Sequence, residues 1–421
     1  MTTIAIASHA AECMAAYDWE KVLAARAGRL RSSAIRELLK VLGQPGMISF
    51  GGGMPAPESF PLDAFRAACD AVLSREGPRA LQYGATEGYE PLREQVAESL
   101  RRKGISCRAA NILLTSGSQQ ALDLIGKVFV DGTRPVCVES PTYLGALQAW
   151  DSYGADYCPV RLDGDGMVVE ELPELLARRR PRFVYVLPNF QNPTGVSLSL
   201  ERRRRLVEVL AAGDCFLIED DPYAELRFEG EEMPPIASRL PERTLYLGTF
   251  SKILSPGIRL GYVAAPEPVI RRLVQAKQGV DLHTGTFIQM VACEVGRMAI
   301  LPAHIEMIRK LYRERRDAML AAMDRHFPDR VRRTRPKGGL FLWVTLPGPL
   351  DSVALLGDAI AEKVAYVPGP AFFPPGIGGA PQHLRLNFSY SGPEVIEEGI
   401  RRLGKVLARA EGSLLTAEAG A

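Results

Sequence analysis

The strongest constraint on the fold is a repeated succession of apolar strand, polar turn and helix. Apolar runs at Pro135–Glu139, Pro181–Leu187 and Cys215–Tyr223 are separated by helical patterns, and each run leads into polar side chains. Strands that alternate with helices usually pair in parallel. The pattern therefore predicts an α/β fold with a largely parallel sheet. The polar strand ends mark the edge at which such a sheet binds its ligands.

The length of the chain predicts more than one domain, because 421 residues exceed one ordinary hydrophobic core. Beyond Glu267 the pattern becomes helical, with a long helix over 304–326, and strands are predicted at Gly338–Val344 and Leu384–Phe388. These elements predict a smaller α+β domain at the C-terminal end. We expect three parts: a helical N-terminal arm at 1–60 that joins the small domain, a large domain at 61–300 and the small domain at 301–421.

Composition and charge narrow the class of protein. The chain is 47% hydrophobic and 24% charged, and its net charge of +2 favours neither a nucleic-acid nor a membrane partner. The basic runs Arg178–Arg180 and Arg202–Arg205 are typical of solvated helix faces or ends. Seven scattered cysteines without a CxxC pair predict neither a disulfide framework nor a metal site. Without a signal-like or membrane-spanning stretch, a cytoplasmic location is expected.

One lysine stands out by its surroundings. An apolar run that begins at Leu245 leads into a small polar turn, which presents Lys252 between Phe250 and Ile253. These neighbours are too apolar for an ordinary solvated lysine. A desolvated lysine close to another cation, such as Arg259, has a lowered pKa and becomes a nucleophile toward aldehydes. Beside hydroxyls and a cation that can bind phosphate, it suggests pyridoxal phosphate as the cofactor.

Two loops offer backbone that a ligand can approach. The strand Asn111–Thr115 breaks into Ser116–Gln120 before a helix, an arrangement that points free backbone N–H groups at a phosphate. A serine-rich helix cap is the alternative interpretation. The three glycines Gly51–Gly53 also permit close approach, and there a plain flexible turn is the alternative.

The remaining requirements of pyridoxal chemistry are also met near predicted strand ends. The cofactor needs an anion at its ring nitrogen, donors at its phenolic oxygen, an aromatic cover and a phosphate seat. Each candidate alone is a weak signal, since Asp220 suits a helix cap and Asn192–Pro193 a turn. Their joint occurrence favours a cofactor site made of Asp220, Tyr223, Asn192, Tyr143, Ser118, Gln119, Thr249, Ser251 and Arg259.

With these residues in place, the chain resembles the fold-type I aminotransferases of the aspartate aminotransferase superfamily. It is most similar to the branch that contains kynurenine and 2-aminoadipate aminotransferases. The resemblance runs from Ser33 to about Leu407. Its motifs are Ser33–Arg36, Ser49–Pro57, Gln82–Gly84, Thr115–Asp123, Asn192–Gly195, Glu219–Tyr223, Phe250–Lys252, Gly338–Trp343 and Arg385–Phe388. The implied large domain has a mostly parallel seven-stranded sheet between helices.

The resemblance also implies roles. Lys252 is the implied Schiff-base lysine, Asp220 the partner of the ring nitrogen, and Arg385 the clamp for the substrate α-carboxylate. Asn192 is also expected to contact the substrate. Tyr83 is expected to reach the phosphate of a neighbouring subunit, which implies a homodimer. The further implied cofactor contacts are Tyr223 and Asn192 at the phenolic oxygen, Tyr143 on the ring, and Ser118, Gln119, Thr249 (serine in many relatives), Ser251 and Arg259 at the phosphate.

The expected reaction moves an amino group between an L-amino acid and a 2-oxo acid in two ping-pong stages. Glutamate and 2-oxoglutarate form one expected pair, and 2-aminoadipate or an aromatic or branched amino acid belongs to the other. Ser33, Arg36 and Gly52 fall where relatives line the side-chain pocket. Arg36 either pairs with a distal substrate carboxylate or is an ordinary exposed helix arginine.

Two other functions remain compatible with parts of the sequence. A racemase, lyase or decarboxylase uses the same cofactor residues for another reaction at the α carbon. A transcription regulator fuses this fold to a DNA-binding domain of some sixty residues or more. Only about 47 residues precede the glycine loop here, without a helix-turn-helix pattern, so a regulator is not expected.

Overall fold

The computed structural model describes residues 18–30, 45–377 and 381–419. Ser33 and Arg36, together with the helix that the sequence predicts around them, lie outside the described residues. No helix in the described ranges is long and apolar enough to cross a bilayer.

A large sheet forms the centre of the molecule. Its strands, in chain order, are β2 (Ile112–Thr115), β3 (Val136–Ser140), β4 (Tyr157–Asp163), β5 (Gly166–Met167), β6 (Phe183–Val186), β7 (Phe216–Asp220), β8 (Thr244–Thr249) and β9 (Gly261–Ala264). Their spatial order is β2-β9-β8-β7-β6-β3-β4-β5. The strands β8, β7, β6, β3 and β4 pair in parallel, whereas β9 is antiparallel to both of its neighbours.

The mostly parallel sheet of the prediction is confirmed, with one addition to its seven strands. The two-residue β5 folds back on β4 in an antiparallel hairpin and makes the eighth. The reversal is local, because the carboxylate of Asp163 accepts a hydrogen bond from the backbone N–H of Asp165 and Gly166 adopts a φ of 92°. A positive φ is readily adopted only by glycine.

Helices surround this sheet. They are α1 (Leu62–Ala80), α2 (Glu90–Arg102), α3 (Ser118–Phe129), α4 (Leu144–Asp151), α5 (Leu172–Arg179), α6 (Leu200–Ala211), α7 (Glu267–Gln278), α8 (Thr286–Arg297) and α9 (Leu301–His326). Among them, α3 packs against α4 and α7, and α8 packs against α1 and α2. The start of α6 is a capped turn, since the Ser199 hydroxyl accepts a hydrogen bond from the Arg202 N–H.

The C-terminal part forms a second, smaller layer. It contains β10 (Arg332–Arg333), β11 (Phe341–Thr345), α10 (Leu356–Ala361), β12 (Val364–Ala365), β13 (Val367–Pro368), β14 (His383–Asn387) and α11 (Pro393–Ala419). The order β10-β11-β14-β13 is antiparallel throughout, and α11 packs along α9. The short strand β1 (Ile48–Ser49) pairs in parallel with β12. We retain the division at 1–60, 61–300 and 301–421 as a proposal.

The topology brings polar side chains to one edge of the large sheet. The carboxyl ends of β3, β6, β7 and β8 meet there, because these strands are parallel. Strand β2 runs in the same direction, since both β2 and β8 are antiparallel to β9. The residues in the middle of these strands have mostly buried apolar side chains. The polar residues that follow the strands are therefore the ones that can contact a ligand.

Candidate active site

Lys252 lies in the turn that follows β8, on the wall of a cavity of about 280 Å³. Its Nζ donates a hydrogen bond to the backbone carbonyl of Gly53 at 2.7 Å. Burial, reinforced by the positive charges of Arg385 and Arg259, lowers the pKa of the amine to about 8. The lysine therefore has an unprotonated, nucleophilic form close to neutral pH.

Asp220 ends β7 and lies on the same wall, with 3% of its surface exposed. Its Oδ2 accepts a hydrogen bond from the Tyr185 hydroxyl at 2.8 Å. Burial raises the pKa of this carboxyl to about 7, although the Tyr185 hydrogen bond opposes the shift. Oδ1 is buried and has no hydrogen-bond partner among the described residues. A buried carboxylate oxygen without a donor is costly, so this atom calls for a proton donor from a ligand.

The turn between β2 and α3 forms one end of the cavity, which Ser118 and Gln119 line. Gly117 has φ 80° and ψ 165°, and α3 begins immediately after it at Ser118. The Arg259 guanidinium lies against this glycine, where a Cβ would come within 2.6 Å of Nη2. Ser251 and Thr249 complete this end, and the Ser251 N–H donates to the Thr249 hydroxyl oxygen at 3.1 Å. A helix N-terminus, hydroxyls and an arginine together suit a phosphate.

Two tyrosines, Tyr223 and Tyr143, also line the cavity. The Tyr223 hydroxyl is hydrogen-bonded to the Asn192 side chain, and burial raises the pKa of Tyr223 well above its usual range. The Tyr143 hydroxyl donates to Oε1 of Gln119 at 3.3 Å, and Gln119 in turn donates to the Gly145 carbonyl at 2.7 Å. Burial raises the pKa of Tyr143 as well, and a tyrosine is protonated near neutral pH even at its ordinary pKa, so each of the two carries a hydroxyl proton inside the cavity.

Arg385 on β14 is 1% exposed and approaches the cavity from the smaller layer. Its Nη1 donates to Oδ1 of Asn192 at 2.8 Å, and its Nη2 donates to the Gly51 carbonyl at 2.6 Å. The guanidinium lies 4.2 Å from the ring centre of Phe341 and 4.9 Å from that of Phe372. Its Nε has no acceptor among the described residues. A planar, buried cation with a free N–H is suited to a carboxylate.

Two further predicted residues, Gly52 and Tyr83, make none of these contacts in the described part of the chain. Gly52 is buried between Gly51 and Gly53, whose carbonyls accept hydrogen bonds from Arg385 and Lys252. Tyr83 is 79% exposed and packs edge-to-face on His283, with ring centres 5.8 Å apart. It is not part of the cavity wall within its own chain. Ser33 and Arg36 are outside the described residues.

Sequence reasoning missed two side chains that support the site. Tyr185 bonds Asp220, and a tyrosine inside an apolar strand is a signal that its hydroxyl needs a buried partner. Arg203 belongs to a run expected to be solvated, yet it is 3% exposed. Its guanidinium donates to the Pro188 carbonyl and to Oδ1 of Asn189, three residues before Asn192. That part of the prediction was wrong because the segment after β6 folds over this face of α6.

The arrangement fits pyridoxal phosphate on its own chemistry. An amine with a lowered pKa, a buried carboxylate oxygen that lacks a donor, and a cationic helix N-terminus occupy one cavity. These are the groups that an aromatic aldehyde with a ring nitrogen and a phosphate requires.

Comparison with known proteins agrees with this geometry. The family model for aminotransferase class I and II matches residues 48–403. The chain belongs to this aminotransferase family. It is a pyridoxal-phosphate-dependent enzyme that transfers amino groups between amino and oxo acids, and the fold and reaction that the sequence predicted are confirmed.

Three relatives illustrate the similarity. An aromatic-amino-acid aminotransferase of Thermococcus litoralis is 45% identical over 93% of this chain and 95% of its own. The α-aminoadipate aminotransferase of Thermus thermophilus, solved with N-(5′-phosphopyridoxyl)-L-leucine, is 43% identical with a TM-score of 0.87, covering 93% of this chain and 98% of that one. The kynurenine aminotransferase of Pyrococcus horikoshii, solved with PMP, is 43% identical with a TM-score of 0.89, covering 94% and 98%.

Proposed function

We propose that this aminotransferase holds its cofactor through the residues that line the 280 Å³ cavity. The observation that carries the proposal is that Lys252 Nζ, the unpaired Oδ1 of Asp220 and the Arg259 end of the cavity line one volume. Lys252 would anchor the aldehyde, and Asp220 would accept a hydrogen bond from the protonated ring nitrogen. The other proposed contacts are Tyr223 and Asn192 at the phenolic oxygen, Tyr143 at the ring face, and Ser118, Gln119, Thr249, Ser251 and Arg259 at the phosphate.

The residues of the chain then divide the chemical work. When bound, the cofactor supplies an electron sink for negative charge at the substrate's α carbon. Lys252 would move the proton at that carbon, and its lowered pKa suits an amine that must both accept and return a proton. Asp220 keeps its charge next to a protonated ring nitrogen, which offsets the burial that otherwise raises its pKa.

Arg385 is the proposed partner of the substrate's α-carboxylate. It is the buried cation on the side of the cavity formed by Phe341, and its Nε is free to donate. Asn192 lies between Arg385 and Tyr223, because it accepts from the arginine and is bonded to the tyrosine hydroxyl. A charged hydrogen bond of this kind contributes about 1.5–3 kcal/mol.

The substrates of the similar enzymes differ in their side chains, so the pocket for the side chain determines which amino acids this enzyme accepts. We propose glutamate and 2-oxoglutarate as one pair, and 2-aminoadipate or an aromatic or branched amino acid for the other. Aromatic amino acids, α-aminoadipate and kynurenine appear in the names of the similar enzymes. Ser33, Arg36 and Gly52 are the proposed lining of the side-chain pocket, with Arg36 as the partner of a distal carboxylate.

The exposed Tyr83 supports a homodimer in which this side chain reaches the phosphate of the neighbouring subunit. Its ring is 79% exposed, and Leu81 and Leu282 nearby in the fold are 74% and 54% exposed. Large exposed apolar side chains at one place are typical of an interface. A cytoplasmic location is proposed with this assembly.

The function is tested by a half-reaction panel. The purified holoenzyme is mixed with single amino acids and no acceptor, and the visible absorbance of the lysine-bound cofactor is followed. We expect glutamate to convert the cofactor to its aminated form. Conversion by 2-aminoadipate as well would support Arg36 as a side-chain ligand, whereas conversion by apolar or aromatic amino acids alone would remove that role.

The same panel addresses another reaction at the α carbon. The supernatant is assayed for the 2-oxo acid that corresponds to each amino acid, and the acid must appear in the amount of cofactor converted. An absorbance that persists with every amino acid would contradict the proposed substrates and favour a racemase, lyase or decarboxylase reaction for this chain.

A further inference from the structure

A lysine with no part in the chemistry described above is completely buried behind the cavity. Lys277 lies in the last turn of α7, and its side chain has no exposed surface. Its Nζ donates to both carboxylate oxygens of Asp281 at 2.8 Å, to Oε1 of Gln120 at 2.6 Å and to the Thr284 hydroxyl at 3.1 Å. A buried ammonium needs such partners because it has lost its hydration.

The partners of Lys277 also hold the turn between β2 and α3. Oε1 of Gln120 accepts a second hydrogen bond, from the Ser116 N–H at 2.8 Å. Oδ2 of Asp281 accepts from the Ser116 hydroxyl at 3.2 Å and from Nε2 of Gln120 at 2.7 Å. The N–H and the hydroxyl of Ser116 are therefore both bonded to atoms that Lys277 also binds.

Ser116 connects this network to the end of the cavity proposed for the phosphate. Its carbonyl lies 3.4 Å from Nη2 of Arg259, which donates to it. Gly117 follows, and the N-terminus of α3 begins at Ser118. Lys277 does not line the cavity, yet three successive hydrogen bonds connect it to Arg259 through Gln120 and Ser116.

We propose that Lys277 is a positioning residue for the phosphate: together with Asp281 and Gln120 it holds the Ser116–Gly117 turn so that the N-terminus of α3 and Arg259 face the same point. The proposal rests on the proposed function, which assigns this end of the cavity to the phosphate. The effect of Lys277 should fall mainly on the phosphate, because the hydrogen bonds that hold Lys252 and Asp220 in the described residues go to Gly53 and Tyr185, outside the network.

The experiment compares two aldehydes that differ only in the phosphate. Cofactor-free Lys277→Met protein is titrated with pyridoxal phosphate and with pyridoxal, and the dissociation constants are measured by absorbance. We expect pyridoxal phosphate to bind about tenfold more weakly than to wild type, as for a loss of about 1.4 kcal/mol. Pyridoxal affinity should stay unchanged. The ³¹P resonance of the bound cofactor should also shift, which a merely structural role would not cause.

Lys103 provides a control substitution, and a second Lys277 variant is available if the first one does not fold. Lys103→Met removes a lysine that is partly buried and paired with Glu225. Because Lys103 belongs to neither the Ser116 turn nor its hydrogen-bond network in the described residues, this change should leave the ratio of the two constants unchanged. If Lys277→Met does not fold, as judged by circular dichroism, the charge-neutral double variant Lys277→Met with Asp281→Asn replaces it, with the same expected ratio.

The possible results distinguish the positioning role of Lys277 from the phosphate assignment on which it rests. Equal weakening of both aldehydes, or no weakening of either, would overturn the positioning role of Lys277 while the phosphate assignment stands. A wild-type protein that binds pyridoxal as tightly as pyridoxal phosphate would overturn the phosphate assignment itself, and the role of Lys277 with it.

Discussion

At the scale of single residues, the titration of Lys252 is the property that most directly links structure to chemistry. The ordinary pKa of 10.5 falls to about 8 because the amine is desolvated and shares the cavity with Arg385 and Arg259. Between pH 8 and 10.5 the folded cofactor-free protein therefore binds fewer protons at this site than the unfolded chain. The contribution of Lys252 to stability consequently rises with pH across that window and is least favourable below it.

We expect this shift to appear in the reaction of cofactor-free enzyme with pyridoxal. Only the neutral amine attacks the aldehyde, so the rate should rise with pH along a curve whose midpoint lies near pH 8. Stopped-flow absorbance across pH 6 to about 11 measures it. A small-molecule analogue of the lysine side chain, free in solution, serves as the control, and the midpoint of its pH–rate curve should lie near pH 10.4. A midpoint for the protein that coincides with that of the analogue would contradict a desolvated Lys252.

At the scale of elements, the junction of β2 and α3 depends on one backbone conformation. Gly117 combines φ 80° with ψ 165°, a region that is almost exclusive to glycine. The same glycine leaves room for the Arg259 guanidinium. The conformation and the close approach together explain why a turn of two small residues can place an arginine and a helix N-terminus side by side.

Replacing this glycine tests the junction. Gly117→Ala should strain the backbone by about 1–3 kcal/mol and displace Arg259, since the new Cβ would lie 2.6 Å from Nη2. We expect at least a tenfold rise in the dissociation constant of pyridoxal phosphate. Gly164→Ala is the control, because its Cβ meets nothing within 4 Å. Unchanged cofactor affinity in Gly117→Ala would show that the turn does not position Arg259.

At the scale of the whole molecule, the exposed Tyr83 can act either in the active site of its own subunit or in that of the neighbouring subunit. Mixed dimers of two inactive variants distinguish the cases. Lys252→Ala should lower kcat by about a hundred- to ten-thousandfold, the usual contribution of general acid–base catalysis. Tyr83→Phe should weaken the binding of the cofactor by removing one hydroxyl. Each variant is assayed alone at a limiting concentration of pyridoxal phosphate, where both are expected to be nearly inactive.

We expect activity to return when the two variants are mixed, unfolded together and then refolded as mixed dimers. In a mixed dimer, the subunit that retains Lys252 would receive an intact Tyr83 from its partner, so one native site forms. Recovery should approach half of the wild-type rate per mixed dimer. If Tyr83 served its own chain instead, every site would carry one defect, and mixing would restore nothing.

The sequence by itself determined the local units of this protein and the chemistry that they present. Strand, turn and helix follow from short-range patterns, so the turn after β8 and the polar ends of β6 and β7 were predictable, as were Lys252 and Asp220 as candidates. Only the tertiary structure decided which side chains lose water and which partners replace it. Arg385 and Asn192 are 193 residues apart in the chain, yet they lie 2.8 Å apart in the cavity.

The buried support of the site shows the same division. Nothing local distinguishes Arg203 from its solvated neighbours, and Lys277 has the sequence surroundings of an ordinary helix lysine. Both are buried because distant segments fold over them, and burial makes the partners of a charge obligatory. Residue types and periodicity are written in the order of the chain, whereas desolvation and its compensation arise only when remote segments pack together.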